Sequence, residues 1–201
     1  MRRAAAAGGD GLIVPRSWHF NHRPIARVVK DMLGRADSTP GSVLDLGMGC
    51  GNYGRVLRRA GVAAELTGVE VWPEYRNPRW ERYYDHSLQA DVREFLSTVD
   101  LASYDVLLLI DVLEHMERDE GQRVLDQMRK VARVGFVIST PISRYPQPGW
   151  YGNPHEVHRY FWSDEELREQ GLECVRNSIV PTFAPWPPLA RSAVYVWSSA
   201  R

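Results

Sequence analysis

Apolar positions along the chain alternate between a helical and an extended period. Between Pro24 and Leu33 they fall at Ile25, Val28, Val29, Met32 and Leu33. That is a helical spacing, with a proline in its first turn and Gly34 past its end. Ser42–Leu46 is a short apolar strand, and the helix after it spans about Tyr53–Arg59 and stops at Gly61. A second strand covers about Glu65–Val71, and a polar, aromatic segment follows from Trp72 to His86. A short third strand lies around Ser87–Ala90, with a helix over Val92–Thr98. Tyr104–Ile110 is nearly all apolar, as suits a central strand covered on both faces. Glu117–Arg133 places Val124, Leu125, Met128, Val131 and Ala132 on one side of a helix, and Gly135–Ser139 is a fifth strand. Ser163, with Glu166 three residues on, forms a capping box that starts another helix. Two final strands are expected over about Leu172–Val180 and Ala193–Ser198, joined by a turn holding Pro181, Pro185, Pro187 and Pro188.

Strands alternating with helices imply an α/β, doubly wound, seven-stranded and mostly parallel sheet. The last two strands leave no room for a crossover helix, so they pair as a C-terminal antiparallel hairpin. A length of 201 residues fits a single domain spanning residues 1–201 around one substantial core. Residues 1–11 have the composition of a disordered end, and no internal repeat is evident.

The formal net charge is zero, which removes any global electrostatic case for a nucleic-acid or membrane partner. The basic residues are nearly all arginine, with Lys30 and Lys130 the exceptions. Cys50 and Cys174 make no metal or redox spacing, so a reduced, cytoplasmic protein is the simplest expectation. The N-terminal arginines are followed by no apolar stretch of signal-peptide type, and no apolar run reaches membrane-span length.

The densest chemical signal is Val43-Leu44-Asp45-Leu46-Gly47-Met48-Gly49-Cys50-Gly51-Asn52-Tyr53-Gly54. Glycines alternate at 47, 49 and 51 between a strand and a helix start. Such a turn lets backbone N–H groups approach a ligand with no Cβ in the way, at the positive end of a helix. Gly49, Gly51 and Gly54 also fit the dinucleotide spacing G-x-G-x-x-G. In that frame the strand should run straight into the first glycine, whereas here it ends at Leu46, before Gly47. Asp45 decides between them: a pyrophosphate has no use for a carboxylate at that point, and a ligand carrying an ammonium group does. The stretch resembles the first signature of the class I S-adenosylmethionine (SAM) methyltransferases, Asp/Glu-x-Gly-x-Gly-x-Gly.

The resemblance is good from about Ser42 to Ser139 and implies a Rossmann-like methyltransferase fold with SAM as cofactor. It also implies roles. Asp45 would hold the SAM ammonium, directly or through water. Glu70, closing the second strand, would accept from both ribose hydroxyls, and Val71 and Trp72 would flank the adenine. Asp91 would receive the adenine amino group, with the N–H of Val92 on the ring, while Asp91 also caps a helix. Gly47, Gly49 and Gly51 line the cofactor. Asn52, Tyr53 and the backbone near Asp111 border the methionine part.

Methyl transfer from a sulfonium needs an acceptor in line, a dry pocket and removal of any proton. Residues 141–162 make a long connection rich in aromatics, His and Pro, suited to an ordered acceptor-side loop with help from the N-terminus and the final hairpin. His115, His155 and His158 are the candidate bases, and His115 ranks first because it follows the fourth strand. Gly-Asn-Pro-x-x-Val-His-x-x-x-Trp, at residues 152–162, resembles a segment of bacterial methyltransferases. Asp111-x-x-Glu114-His115 resembles the Glu-x-x-Glu-His of ubiquinone-pathway and small-RNA 3′-end methyltransferases. In the RNA family a later His completes a divalent-metal site, a role open here to His155 or His158. The first acid here is the shorter Asp, and metal-free relatives carry the same run, so no metal is expected. The expected reaction is methyl transfer to an oxygen or nitrogen of a small molecule, sugar-like or a secondary metabolite. The alternatives are a metal-dependent RNA 3′-end 2′-O-methyltransferase and a SAM-binding protein without catalysis. Oligomeric state is not legible.

Overall fold

A computed structural model of the chain describes residues 19–144, 146–149, 152–181 and 189–200. The expected disorder of residues 1–11, the tip of the proline-rich turn, and Tyr145, Trp150 and Tyr151 of the acceptor-side loop lie outside the described residues.

Seven strands form one sheet in the order β3-β2-β1-β4-β5-β7-β6. They are β1 (Ser42–Leu46), β2 (Glu65–Glu70), β3 (His86–Gln89), β4 (Tyr104–Ile110), β5 (Ala132–Pro141), β6 (Glu173–Pro181) and β7 (Leu189–Ser198). The first five are parallel, and β7 runs antiparallel to both β5 and β6. The helices are α1 (His22–Leu33), α2 (Asn52–Arg59), α3 (Pro78–Tyr83), α4 (Val92–Thr98), α5 (Arg118–Val131) and α6 (Asp164–Glu169). Helix α1 packs on β4, β5 and α2, and α2 packs on α3; α4 pairs with α5 on the other side.

Alternation along β4 shows why it is apolar throughout. Val106, Leu108 and Ile110 enter one core with Ile25, Val29 and Leu57. Leu107 and Leu109 enter the other, with Leu125, Met128 and Phe136. A period of two with both faces covered makes the strand apolar from Val106 to Ile110. Asp105, at its N-terminal end, pins the edge away from the site. Its carboxylate accepts from Ser38 Oγ, from the Ser42 amide at 2.8 Å and from Arg133 Nε at 2.7 Å. Burial works to raise its pKa, but these donors and the Arg133 charge outweigh it and hold the group at about 2.

Three element expectations need correction. The segment Trp72–His86 holds a 3-10 turn at Pro73–Tyr75 and helix α3. Asn77 caps α3 by accepting from the Arg79 amide at 3.0 Å, and Pro78 sits at its first position. Helix α5 ends at Val131 rather than Arg133, because Ala132 already pairs with Tyr104 in the sheet. Strand β7 is longer than expected, since its pairing with β6 continues out to Leu189, while β6 is shifted by one residue.

Candidate active site

The sheet order reverses between β1 and β4, so the crevice lies beyond the C-terminal ends of β1, β2 and β4. The three alternating glycines all adopt left-handed backbone there: Gly47 at φ 77°, Gly49 at 52° and Gly51 at 77°. Only glycine does so at little cost. At Gly47 a Cβ would also lie 2.5 Å from Val112. The turn is fixed from behind. Trp80 Nε1 donates to the Gly49 carbonyl at 2.8 Å, and Asn77 Nδ2 to the Cys50 carbonyl at 3.1 Å. With these carbonyls held outward, the Gly49 N–H points to Glu70 Oε2 at 2.8 Å. Gly51, the N-cap of α2, brings no side chain to its N-terminus.

Glu70 closes β2, and its other oxygen accepts from the Trp72 amide at 2.8 Å. Burial raises its pKa, against those two amides. Asp45 is 3% exposed on β1. Tyr84 Oη donates to it at 2.5 Å and accepts from the Gly54 amide at 2.9 Å. A Cβ on Gly54 would come within 2.4 Å of the Tyr84 ring. Gly54 therefore makes room for Tyr84, which accounts for the accidental dinucleotide spacing. Burial raises the Asp45 carboxyl to about 7, with the Tyr84 hydrogen bond opposing and the Glu70 charge adding. Cys50 is buried and its thiol is pushed up to about 11, chiefly by burial. That state does not suit a nucleophile.

At the end of β4, Asp111 sits at φ 54°, a left-handed position for a non-glycine residue. Ser139 Oγ donates to it at 2.7 Å, and burial lifts its carboxyl to about 6. Glu114 is buried one turn on, accepting from Thr140 Oγ1 at 3.0 Å; burial and then the Asp111 charge raise it well above its ordinary range. His115 Nδ1 donates to the Val157 carbonyl at 3.2 Å, which leaves Nε2 as the unprotonated nitrogen. Burial depresses its pKa to about 4. The His158 ring stands 5.0 Å from it. Among the described residues, ligand atoms of Glu114, His115 and His158 lie within 4.8 Å of one another.

The family model for a methyltransferase domain matches residues 17–175. The chain belongs to the methyltransferase domain family. No curated protein sequence matches it. Among solved structures, it is similar to Burkholderia thailandensis 1,6-didemethyltoxoflavin-N1-methyltransferase with bound 1,6-didemethyltoxoflavin and S-adenosylhomocysteine. Identity there is 22%, with 89% of this chain and 78% of that one covered and a TM-score of 0.60. Magnesium protoporphyrin IX methyltransferase from Synechocystis, with bound SAM, is 17% identical over 94% of this chain and 86% of that one, with a TM-score of 0.56. The N-terminal domain of EvdMO1, in the presence of S-adenosylhomocysteine and D-fucose, is 18% identical over 91% and 84%, with a TM-score of 0.62. Likeness at this level shows the shared fold.

In this methyltransferase, Asp45, Gly47, Gly49, Gly51, Asn52, Glu70 and Asp111 gather at the strand ends where the crevice opens. Asp91 is more committed than its expected role requires. It caps α4 through the Arg93 amide at 2.9 Å, and the Arg93 guanidinium holds both of its oxygens. Hydrogen bonding from Arg93 holds its carboxyl below the ordinary range. The three histidines divide: His115 and His158 face each other, while His155 lies with its ring 6.2 Å from Trp72. Glu156, between them, escaped the sequence reading. Tyr75 Oη donates to it at 2.7 Å, and its charge helps raise Cys50, Glu70, Asp111 and Glu114. It therefore faces the crevice from the loop side. With Asp45, Glu70 and Asp111 at the strand ends and the glycine-turn amides beside them, the crevice suits a ligand that carries positive charge.

Proposed function

We propose that this methyltransferase binds SAM across the β1–α2 turn and passes its methyl to an oxygen or nitrogen of a small molecule. The observation that carries the reading is Glu70, held by the Gly49 and Trp72 amides at the end of β2, two residues before the half-buried Trp72. Each of its oxygens keeps a lone pair for a ribose hydroxyl. Asp45 takes the ammonium, Val71 and Trp72 the adenine face, and Val92 and Asp91 its amino edge. Residues 1–201 work as one domain, and the reduced state of both cysteines fits a cytoplasmic setting. Among the described residues no helix is long and apolar enough to cross a membrane.

The chemistry is a direct displacement. The acceptor lone pair forms the new bond to carbon, the S–C pair returns to sulfur, and the acceptor loses a proton. His115 receives that proton on Nε2, oriented by its Nδ1–H bond to Val157. The similar structures support a small acceptor: 1,6-didemethyltoxoflavin is bound in one, another is a magnesium protoporphyrin IX methyltransferase, and D-fucose was present with a third. Calorimetry tests the cofactor reading. Glu70→Ala should weaken SAM binding by about 1.5–3 kcal/mol, the scale of hydrogen bonds to a charged group. Unchanged affinity in a folded variant removes Glu70 from the site.

One observation favours a second reading. Glu114, His115 and His158 present a carboxylate and two imidazoles at ligand spacing, with the far nitrogen of His115 held by a carbonyl as metal-bound histidines are. There a divalent ion would hold the acceptor oxygen and lower its pKa. Turnover in EDTA decides between the two: under the metal-free reading the rate survives, and loss of rate restored by Mg²⁺ or Mn²⁺ makes those three residues ligands.

A further inference from the structure

Tyr53, the second residue of α2, is buried directly after the glycine turn. It is 4% exposed, and its ring meets the ring of His22 edge-on with centroids 5.4 Å apart. Its hydroxyl is buried and has no hydrogen-bond partner among the described residues. Leaving a buried hydroxyl without a partner costs about 1–3 kcal/mol, so such a group needs a reason. The surroundings supply one. Burial first, then the charges of Asp111 and Asp45, hold the phenol far above its ordinary pKa. It stays protonated, and the charges that act on it are those of Asp45, near the end of β1, and Asp111, just past β4. Asp45 carries the Tyr84 hydroxyl and Asp111 carries that of Ser139, so neither acid has closed on Tyr53. The phenol oxygen therefore offers free lone pairs in a region of negative potential. An anionic group would be repelled there, and a cationic one is complementary.

Under the cofactor reading above, the ammonium belongs to Asp45, and the remaining positive centre of SAM is its sulfonium. We propose that the Tyr53 hydroxyl contacts that sulfonium and makes the site favour SAM over S-adenosylhomocysteine. The inference rests on that cofactor reading. It also gives the reaction a release step. When the methyl leaves, the S–C electron pair returns to sulfur, the positive charge at sulfur vanishes, and the attraction to Tyr53 vanishes with it. Product then leaves a site that fresh cofactor refills.

Tyr53→Phe keeps the ring and its packing on His22 and removes only the oxygen. Calorimetry with SAM and with S-adenosylhomocysteine, on both proteins, reads the effect. SAM binding should weaken roughly 5–10-fold in the variant, as for loss of one contact to a charged group, while S-adenosylhomocysteine changes less than about twofold. Equal changes for the two ligands, or none, overturn the proposal and leave the cofactor reading standing. A parent protein that binds neither ligand overturns the cofactor reading itself. A second measurement needs no variant. The nitrogen analogue of SAM, with a protonated amine in place of the sulfonium, should bind the parent protein more tightly than S-adenosylhomocysteine; equal affinity sinks the proposal.

Discussion

Single residues in this site do their work through protonation states set by burial. His115 is the clearest case. Burial depresses it to about 4, against backbone hydrogen bonds with Val157 and Asp111, so at neutral pH its imidazole is uncharged and can take up a proton. A base of that strength is weak. It suffices for a proton whose donor turns strongly acidic as the methyl bond forms. We therefore expect His115→Ala to lower kcat by about 10²–10⁴, with SAM affinity little changed, in a steady-state assay paired with calorimetry. A fall in affinity with kcat intact would place His115 in the cofactor shell. At this scale the sequence was informative where chemistry is local: Asp45, the alternating glycines and Glu70 are each marked by position relative to a strand end. Tyr84 and Glu156 were not legible. Tyr84 meets Asp45 from 39 positions away, and Glu156 meets Tyr75 from 81. Nothing near either residue announces a partner that only the folded sheet brings close. Tyr53 was placed over the methionine part by position alone, and its hydroxyl's lack of a hydrogen-bond partner among the described residues belongs to three dimensions.

Elements matter here as braces. The glycine turn aims its amides into the crevice because α3 holds its carbonyls from outside through Asn77 and Trp80. The loop after β5 is tied to the site by the Glu114 carbonyl, which accepts from the Arg159 amide at 2.8 Å and the Tyr160 amide at 3.3 Å. Trp80→Phe keeps most of the buried ring area and deletes the donor to Gly49. It should cost about 1–3 kcal/mol of stability by leaving that carbonyl unpaired, and SAM affinity should fall as the turn relaxes. Chemical denaturation and calorimetry on one preparation read both, and an intact affinity would mean the turn holds its shape without α3. Helix α3 is also what the sequence reading missed. Its start was written in Asn77-Pro78, an N-cap before a first-turn proline. Six residues leave no room for a helical repeat, and the many aromatics around it read as a loop. The longer elements were legible because burial on one or both faces imposes their period: α1, β1, α4 and β4 fall within two residues of the expected bounds. The ends of β5 and β7 were not, since they depend on which partner strand continues beside them.

The whole molecule concentrates raised acids on one side of the sheet. Asp45 is held at about 7 and Asp111 at about 6, with Glu70 and Glu114 also raised, each chiefly by burial. In the window between an ordinary carboxyl pKa and these values, the folded protein keeps protons that the unfolded chain has released. Stability should therefore fall as pH rises from about 4 to 7. His115 and His22, both lowered by burial, act the other way, because the unfolded chain protonates them below about 6.5 while the fold resists. Two histidines oppose four acids across that window, and at its upper end Asp45 is still titrating. Asp105, held at about 2, contributes stability that is lost only at lower pH, outside the window. The ligand-free protein should thus melt at a lower temperature at pH 8 than at pH 5.5. A cofactor bringing positive charge to ionised Asp45 offsets this, so the rise in Tm on adding SAM should be larger at pH 8 than at pH 5.5. Thermal melts at the two pH values, with and without SAM, measure both differences. Asp45→Asn, neutral throughout, should flatten the ligand-free trend. If the ligand-free Tm rises from pH 5.5 to 8, the acids at the strand ends are not carrying the charge that the crevice would present to its cofactor.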